Sequence, residues 1–150
     1  MAVSRRIFLT SAAASVTFAL VPVSSLALEL RDDVTAAIEG ILDGRTPIEN
    51  GITLDTPDVA ENGAQVPVTI TVDSPMTSDD HVTAIHVIAT ANPEPGIGRF
   101  TLTPHLAKAE VFTRIRLAEE QTVFVFAKLS DGRILQATAR TEVTVGGCAT

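Results

Sequence analysis

From residue 52 onward the chain is a succession of short runs rich in Val, Ile, Thr and Phe, most of them separated by clusters of Pro, Gly, Asn or Asp. The runs cover 52–54, 65–73, 81–91, 98–103, 110–118, 122–129, 134–139 and 141–145. Branched and aromatic side chains fit a pleated strand, and the residues between them fit turns. The clearest turn is Ser130-Asp131-Gly132-Arg133, because Asp-Gly tolerates the positive φ angles of a tight hairpin. Seven or eight strands at this spacing, with no β-α-β alternation, predict an all-β fold of the immunoglobulin-like β-sandwich kind. A short helix precedes it over residues 31–43, where Val34, Ala37, Ile38, Ile41 and Leu42 recur at helical spacing among acids until Gly44 and Pro47 stop it.

Two strands constrain the surface as well as the core. Val123-Phe124-Val125-Phe126-Ala127 is apolar on both faces, and residues 85–91 are nearly so, broken by His86 and Thr90. A strand with one wet face alternates, so something must cover the outer face here. The cover is either the N-terminal helix or a second protein, and the second protein is the preferred choice.

The N-terminus runs Ser4-Arg5-Arg6-Ile7-Phe8-Leu9-Thr10 and then stays apolar and uncharged over 11–23. This order marks a signal peptide, and paired arginines before Phe-Leu mark the twin-arginine type. The apolar run is too short to span a bilayer. Ser25-Leu26-Ala27 supplies the small residues of a cleavage site, which puts the mature start at Leu28 and the working compartment in the periplasm. Three segments follow: a twin-arginine signal peptide at 1–27, a β-sandwich domain at 28–145, and a flexible C-terminal arm at 146–150. Losing 1–27 removes Arg5 and Arg6 and no acid, so 11 basic residues become nine against 18 acidic ones and the net charge moves from −7 to about −9. Such a surface repels nucleic acid. No later segment has the length and hydropathy of a membrane span.

Chemistry concentrates at one atom. The chain has a single cysteine, Cys148, placed after the last predicted strand and directly after Gly146-Gly147. A lone thiol in an oxidising compartment is a reactive group or an intermolecular bridge. Gly146 and Gly147 read as a flexible hinge, and the arm after Val145 could carry the sulfur roughly 10 Å clear of the fold. No Lys or Arg follows Arg140, so the thiol is not expected to be strongly acidified. His81 and His86 fall on opposite faces of a predicted strand and His105 in a loop, so no metal site is expected. Arg114 and Arg116 share one strand face, as a solvated or partner-facing edge or as an anion clamp. No nucleophile elbow or carboxylate pair stands out, so the chain is not expected to be an enzyme, and no cofactor is called for.

A set of local sequences resembles a known family. Ala91-Asn92-Pro93-Glu94-Pro95, Phe100-Thr101-Leu102-Thr103-Pro104, Thr113-Arg114-Ile115-Arg116-Leu117-Ala118, Gln121-Thr122-Val123, Leu129-Ser130-Asp131-Gly132 and the ending Val143-Thr144-Val145-Gly146-Gly147-Cys148 are similar to the Y subunit of the Sox sulfur-oxidising system. The similarity is dense from about residue 80 to 148. It implies a periplasmic sulfur carrier that binds thiosulfate-derived intermediates on Cys148 and presents them to partner enzymes. The implied partners are a Sox Z subunit as heterodimer mate, a c-type cytochrome, a sulfate-releasing hydrolase and a sulfane dehydrogenase, together with a disulfide-linked dimer. The alternative reading is an assembly protein whose C-terminal cysteine makes a permanent intermolecular disulfide. The family usually ends Gly-Gly-Cys-Gly-Gly, whereas this chain ends Cys148-Ala149-Thr150.

Overall fold

The computed structural model describes residues 30–147; the proposed signal peptide, Cys148, Ala149 and Thr150 lie outside the described residues. One helix, α1 (Asp32–Leu42), is followed by eight strands: β1 (Ile52–Asp55), β2 (Val59–Ala60), β3 (Val66–Val72), β4 (Val82–Ala89), β5 (Gly96–Thr101), β6 (Ala109–Ile115), β7 (Gln121–Leu129) and β8 (Ile134–Val143). They form a sandwich of two sheets, β1-β3-β6 and β2-β8-β7-β4-β5. All pairings are antiparallel except β2 with β8. The immunoglobulin-like expectation holds.

The three-stranded sheet is wet outside and dry inside. Along β3, Val66, Val68, Ile70 and Val72 are buried while Pro67, Thr69 and Thr71 face outward. They meet Ile85, Val87, Val123, Val125, Ala127 and Leu135 of the other sheet in the main core. The five-stranded sheet is apolar on both sides, as its sequence requires. Phe126, Ile88 and Ile134 point away from the main core and pack instead with Val34 and Ile41 of α1 in a second buried cluster. The cover is therefore the chain's own helix rather than the second protein preferred from the sequence. Its apolar stripe is long enough to seat on Ile88 and Phe126, so this part of the face is satisfied within the chain. Asp32 and Asp33 sit in the first turn of α1, where the helix dipole favours acids. The helix ends at Asp43, in the left-handed region with its N–H donating to the Glu39 carbonyl, and Gly44 follows at φ 74°.

Two predicted boundaries change. The runs 134–139 and 141–145 merge into one strand that ends at Val143, because Arg140 points outward to pair with Glu120 at 2.5 Å and leaves the ladder intact. The predicted hairpin between β7 and β8 forms, but of Asp131 and Gly132 only Gly132 takes a positive φ, 90°. Gly132 N–H donates to the Leu129 carbonyl across a turn through Ser130 and Asp131. This is the pattern of a three-residue hairpin closed by a glycine bulge.

A buried pair of amides ties the loops at one end of the sandwich. Asn92, 3 % exposed, donates from Nδ2 to the Arg116 carbonyl at 2.8 Å and accepts at Oδ1 from Ala118 N–H and Gln121 Nε2, each at 2.9 Å. Gln121, also 3 % exposed, accepts from Ala91 N–H at 2.8 Å and donates to the Glu119 carbonyl at 3.0 Å. The β4–β5 loop is thereby fixed to the segment that follows β6.

Two predictions test this packing. Phe126→Ala removes a fully buried ring from beneath α1 and is expected to cost about 3–5 kcal/mol, read as a lower urea midpoint at unchanged slope. A loss no larger than that of the exposed Thr138→Ala would mean that the helix is not seated there. Asn92→Ala strands the Arg116 carbonyl and the Ala118 N–H; at about 1–3 kcal/mol for a buried group left unpaired, it should destabilise far more than its small volume change implies. Denaturation of this variant beside Pro93→Ala separates the lost amide from a general loop effect.

Candidate functional site

The arm root is built as an extension of the β2–β8 ladder. Glu142 N–H donates to the Asp58 carbonyl at 2.8 Å and Thr144 N–H to the Ala60 carbonyl at 3.0 Å, so the chain beyond β8 still runs beside the segment around β2. Asn62 then starts a single 3₁₀ turn, Gly63–Gln65, by accepting Ala64 N–H on its side chain. Gly63 N–H donates to the Val145 carbonyl at 2.8 Å, and Gly147 N–H donates to the Leu117 carbonyl at 3.0 Å. Leu117 N–H in turn donates to the Gly63 carbonyl at 2.8 Å. Three strands of backbone thus meet at one point, directly before the residue that carries the thiol.

Glycine serves close approach here. A Cβ on Gly63 would lie 2.3 Å from the Leu117 carbonyl oxygen and 2.7 Å from Gly147 N. On Gly146 it would lie 2.3 Å from the Ala118 carbonyl oxygen, and on Gly147 2.7 Å from the backbone of Gly63 and Ala64. All of these neighbours are backbone atoms that cannot swing aside. None of the three glycines takes a positive φ. Gly63 and Gly147 are buried and Gly146 is exposed. The two residues that the sequence reads as a hinge are therefore seated against the body in this structure.

A cleft of about 360 Å³ opens beside this root, lined by Asn92, Glu94, Ile97, Arg114 and Arg116 among others. Arg114 and Arg116 are both exposed, as expected for one face of an edge strand and its continuation. Glu94 shares the cleft, so its charge is mixed. Its wall runs from Arg114 to Arg116 and leads directly into the Arg116–Ala118 segment that Asn92 holds and that receives Gly147 through Leu117.

The histidines do not converge. His81 Nδ1 lies 3.0 Å from the Thr77 carbonyl oxygen, and His105 is exposed in a loop. His86 is on β4, and burial, then the charges of Lys128 and Arg99, hold its pKa below the usual histidine value. Among the described residues no group of three or more His, Cys, Asp or Glu could hold a metal ion, and no helix is long and apolar enough to cross a membrane.

Sequence reasoning missed three contributors to the root. Gly63 follows Asn62 and reads as an ordinary turn residue; its partners are more than fifty positions away. Asn92 and Gln121 lie within the stretches that carry the family resemblance, but single residues give no hint that the two amides meet. A polar Gln at the inward-facing start of a Val- and Phe-rich run was the available signal.

The comparisons with known proteins agree with this architecture. The family model described as sulfur oxidation protein SoxY matches residues 38–148. Among solved structures, the sulfur carrier protein SoxY from Chlorobium limicola f thiosulfatophilum is 30 % identical with a TM-score of 0.60, covering 75 % of this chain and 97 % of its own. A superoxide reductase (neelaredoxin) from Ignicoccus hospitalis is 14 % identical with a TM-score of 0.56, covering 63 % of this chain and 80 % of its own. Superoxide reductase from Nanoarchaeum equitans is 9 % identical with a TM-score of 0.54, covering 63 % of this chain and 99 % of its own. At such identities the two reductases share the fold alone. No curated protein matches the chain. With a match that spans most of its length and takes in the whole sandwich, the chain belongs to the SoxY family of sulfur oxidation proteins.

Proposed function

We propose that this chain is a periplasmic sulfur carrier whose Cys148 holds thiosulfate-derived intermediates covalently and presents them to partner enzymes. The observation that carries the reading is that the family match extends through the arm and ends on Cys148 itself. The twin-arginine leader supports export to the periplasm.

The chemistry follows from the thiol. The cysteine S–H and the outer sulfur of thiosulfate join in a new S–S bond; one proton leaves, and two electrons pass to a c-type cytochrome, giving Cys–S–S–SO₃⁻. Water then attacks the terminal sulfonate in a hydrolase, the S–SO₃ bond breaks, and sulfate departs with two protons, leaving a Cys148 persulfide. A sulfane dehydrogenase oxidises the sulfur that remains to Cys–S–SO₃⁻, three waters supplying the oxygens while six protons leave and six electrons pass to a cytochrome acceptor. The carrier supplies the attachment atom and its delivery. A Z subunit pairs with it as a heterodimer, and where a periplasmic oxidant takes up two electrons and two protons are released, the unloaded thiols of two such pairs join as a disulfide-linked dimer. No metal or organic cofactor takes part in the carrier itself.

The Cys148→Ser variant is expected to keep the urea midpoint of the wild type and to abolish thiosulfate-dependent cytochrome reduction in a reconstituted system. Intact-mass measurement of the wild type from cells with and without thiosulfate should show sulfur and sulfonate additions that come and go. Turnover by the serine variant would sink the carrier reading. A mass that never changes, with a stable reducible bridge to one partner, would replace it with the assembly reading.

A further inference from the structure

We infer that Gly63 is the seat of a latch that holds the cargo arm against the body between deliveries, so that presentation of Cys148 requires the arm to be released first. The inference rests on the carrier reading for its purpose, but its geometry stands on the described residues alone. Two backbone hydrogen bonds fasten the arm: Gly63 N–H to the Val145 carbonyl, 2.8 Å, and Gly147 N–H to the Leu117 carbonyl, 3.0 Å. Both body-side groups are held in turn. Gly63 and Leu117 are joined by the Leu117 N–H to Gly63 carbonyl bond, 2.8 Å, and the Arg116–Ala118 segment is clamped by the buried side chain of Asn92. The glycines at all three contact points are required by space, since each added Cβ would fall at 2.3–2.7 Å from backbone atoms. A hinge needs glycine for its φ and ψ freedom; a seat needs it for clearance, and only the second need extends to Gly63 on the body.

The reach of the arm depends on this contact. Consecutive Cα atoms are about 3.8 Å apart, so with Gly147 fastened the sulfur of Cys148 stays within roughly 7 Å of the Gly147 Cα. A partner channel deeper than that reach is closed to the thiol while Gly147 stays fastened. Breaking those two bonds frees residues 145–147 while Thr144 stays on the Ala60 carbonyl, and adds roughly 10 Å of extended chain at about 3.3 Å per residue. The Gly-Gly pair then supplies the flexibility expected of it, but after release. Gly63 is thus a positioning residue for the arm, distant from the cysteine in sequence.

The single cysteine gives a direct readout, because a nitroxide label on the mature chain goes to Cys148 alone. The wild-type spectrum is expected to contain a restricted component, and the Gly147 and Gly63 amides should exchange slowly with solvent. Gly63→Val should abolish the restricted component and speed Gly147 exchange by about fivefold or more, as expected when a pair of backbone hydrogen bonds is lost. Gly147→Ala changes only the arm and should do the same in a sandwich that still unfolds in one cooperative transition with the wild-type slope, so a Gly63 variant that fails to fold does not end the test. A wild-type label as mobile as that of Gly147→Ala, or a Gly147 amide that exchanges at the rate of an open chain, would overturn the latch. Neither readout involves sulfur cargo, so a latch that fails leaves the carrier reading standing, and a carrier reading lost through Cys148→Ser leaves the latch measurable.

Discussion

The sandwich depends on covering a five-stranded sheet that is apolar on both faces. Its inner face is closed by the three-stranded sheet, and its outer face would be open across Ile88, Phe126 and Ile134 if α1 did not lie on it. One short helix satisfies that need because its stripe, Val34, Ala37, Ile38 and Ile41, faces the sheet while its acids face water. This settles where hydrophobic burial is complete within the chain. Among the described residues, the large apolar side chain most exposed elsewhere is Phe112 on β6, at 67 %, standing on an outer face otherwise made of Thr, Pro, Asp, Glu and Arg. The structure is thus more self-sufficient than its two-faced strands imply when they are read without the helix.

The sequence made the fold class plain because each strand carried its own signal. Period-two burial in β3 and the apolar run Val123–Ala127 in β7 are local properties, and they identify a strand with one wet face and a strand covered on both faces without reference to any neighbour. What escaped was non-local. β2 is only Val59–Ala60, too short for a pattern, and exists because the end of β8 lies parallel to it. Arg140 looked like an interruption, but a charge at an outward position with Glu120 beside it does not disturb a ladder whose bonds run through the backbone.

The functional end divides in the same way. A lone cysteine after two glycines is visible in any reading of the chain. The surface that receives those glycines is not, since Gly63, Leu117 and Asn92 come from three separate segments and act mostly through backbone groups whose identity the side chains do not declare. Glycine is ambiguous by nature: the same missing Cβ permits bending and permits contact. The contact use shows only in the neighbours, because clearance of 2.3 Å to a carbonyl oxygen is a property of the surroundings and not of the residue.

The strength of the inferred attachment suits the carrier role proposed above, in which one arm serves several enzymes. A backbone hydrogen bond contributes about 0.5–1.5 kcal/mol net in water, so the two that fasten the arm hold it by about 1–3 kcal/mol. At about 1.4 kcal/mol per tenfold, the released arm is then populated at roughly one part in five to one part in 150. Every partner that takes the free arm binds more weakly by that same factor, whatever its own pocket contributes. The penalty is small enough for a modest channel contact to overcome, yet it is uniform, so it leaves the order in which partners compete for the cargo unchanged. A tighter seat, such as a side-chain pocket around the thiol, would protect the cargo better but would tax every transfer more heavily. Backbone contact through glycine gives a hold that is specific in geometry and weak in energy, and those are the two properties that the proposed delivery from one sulfur atom would require.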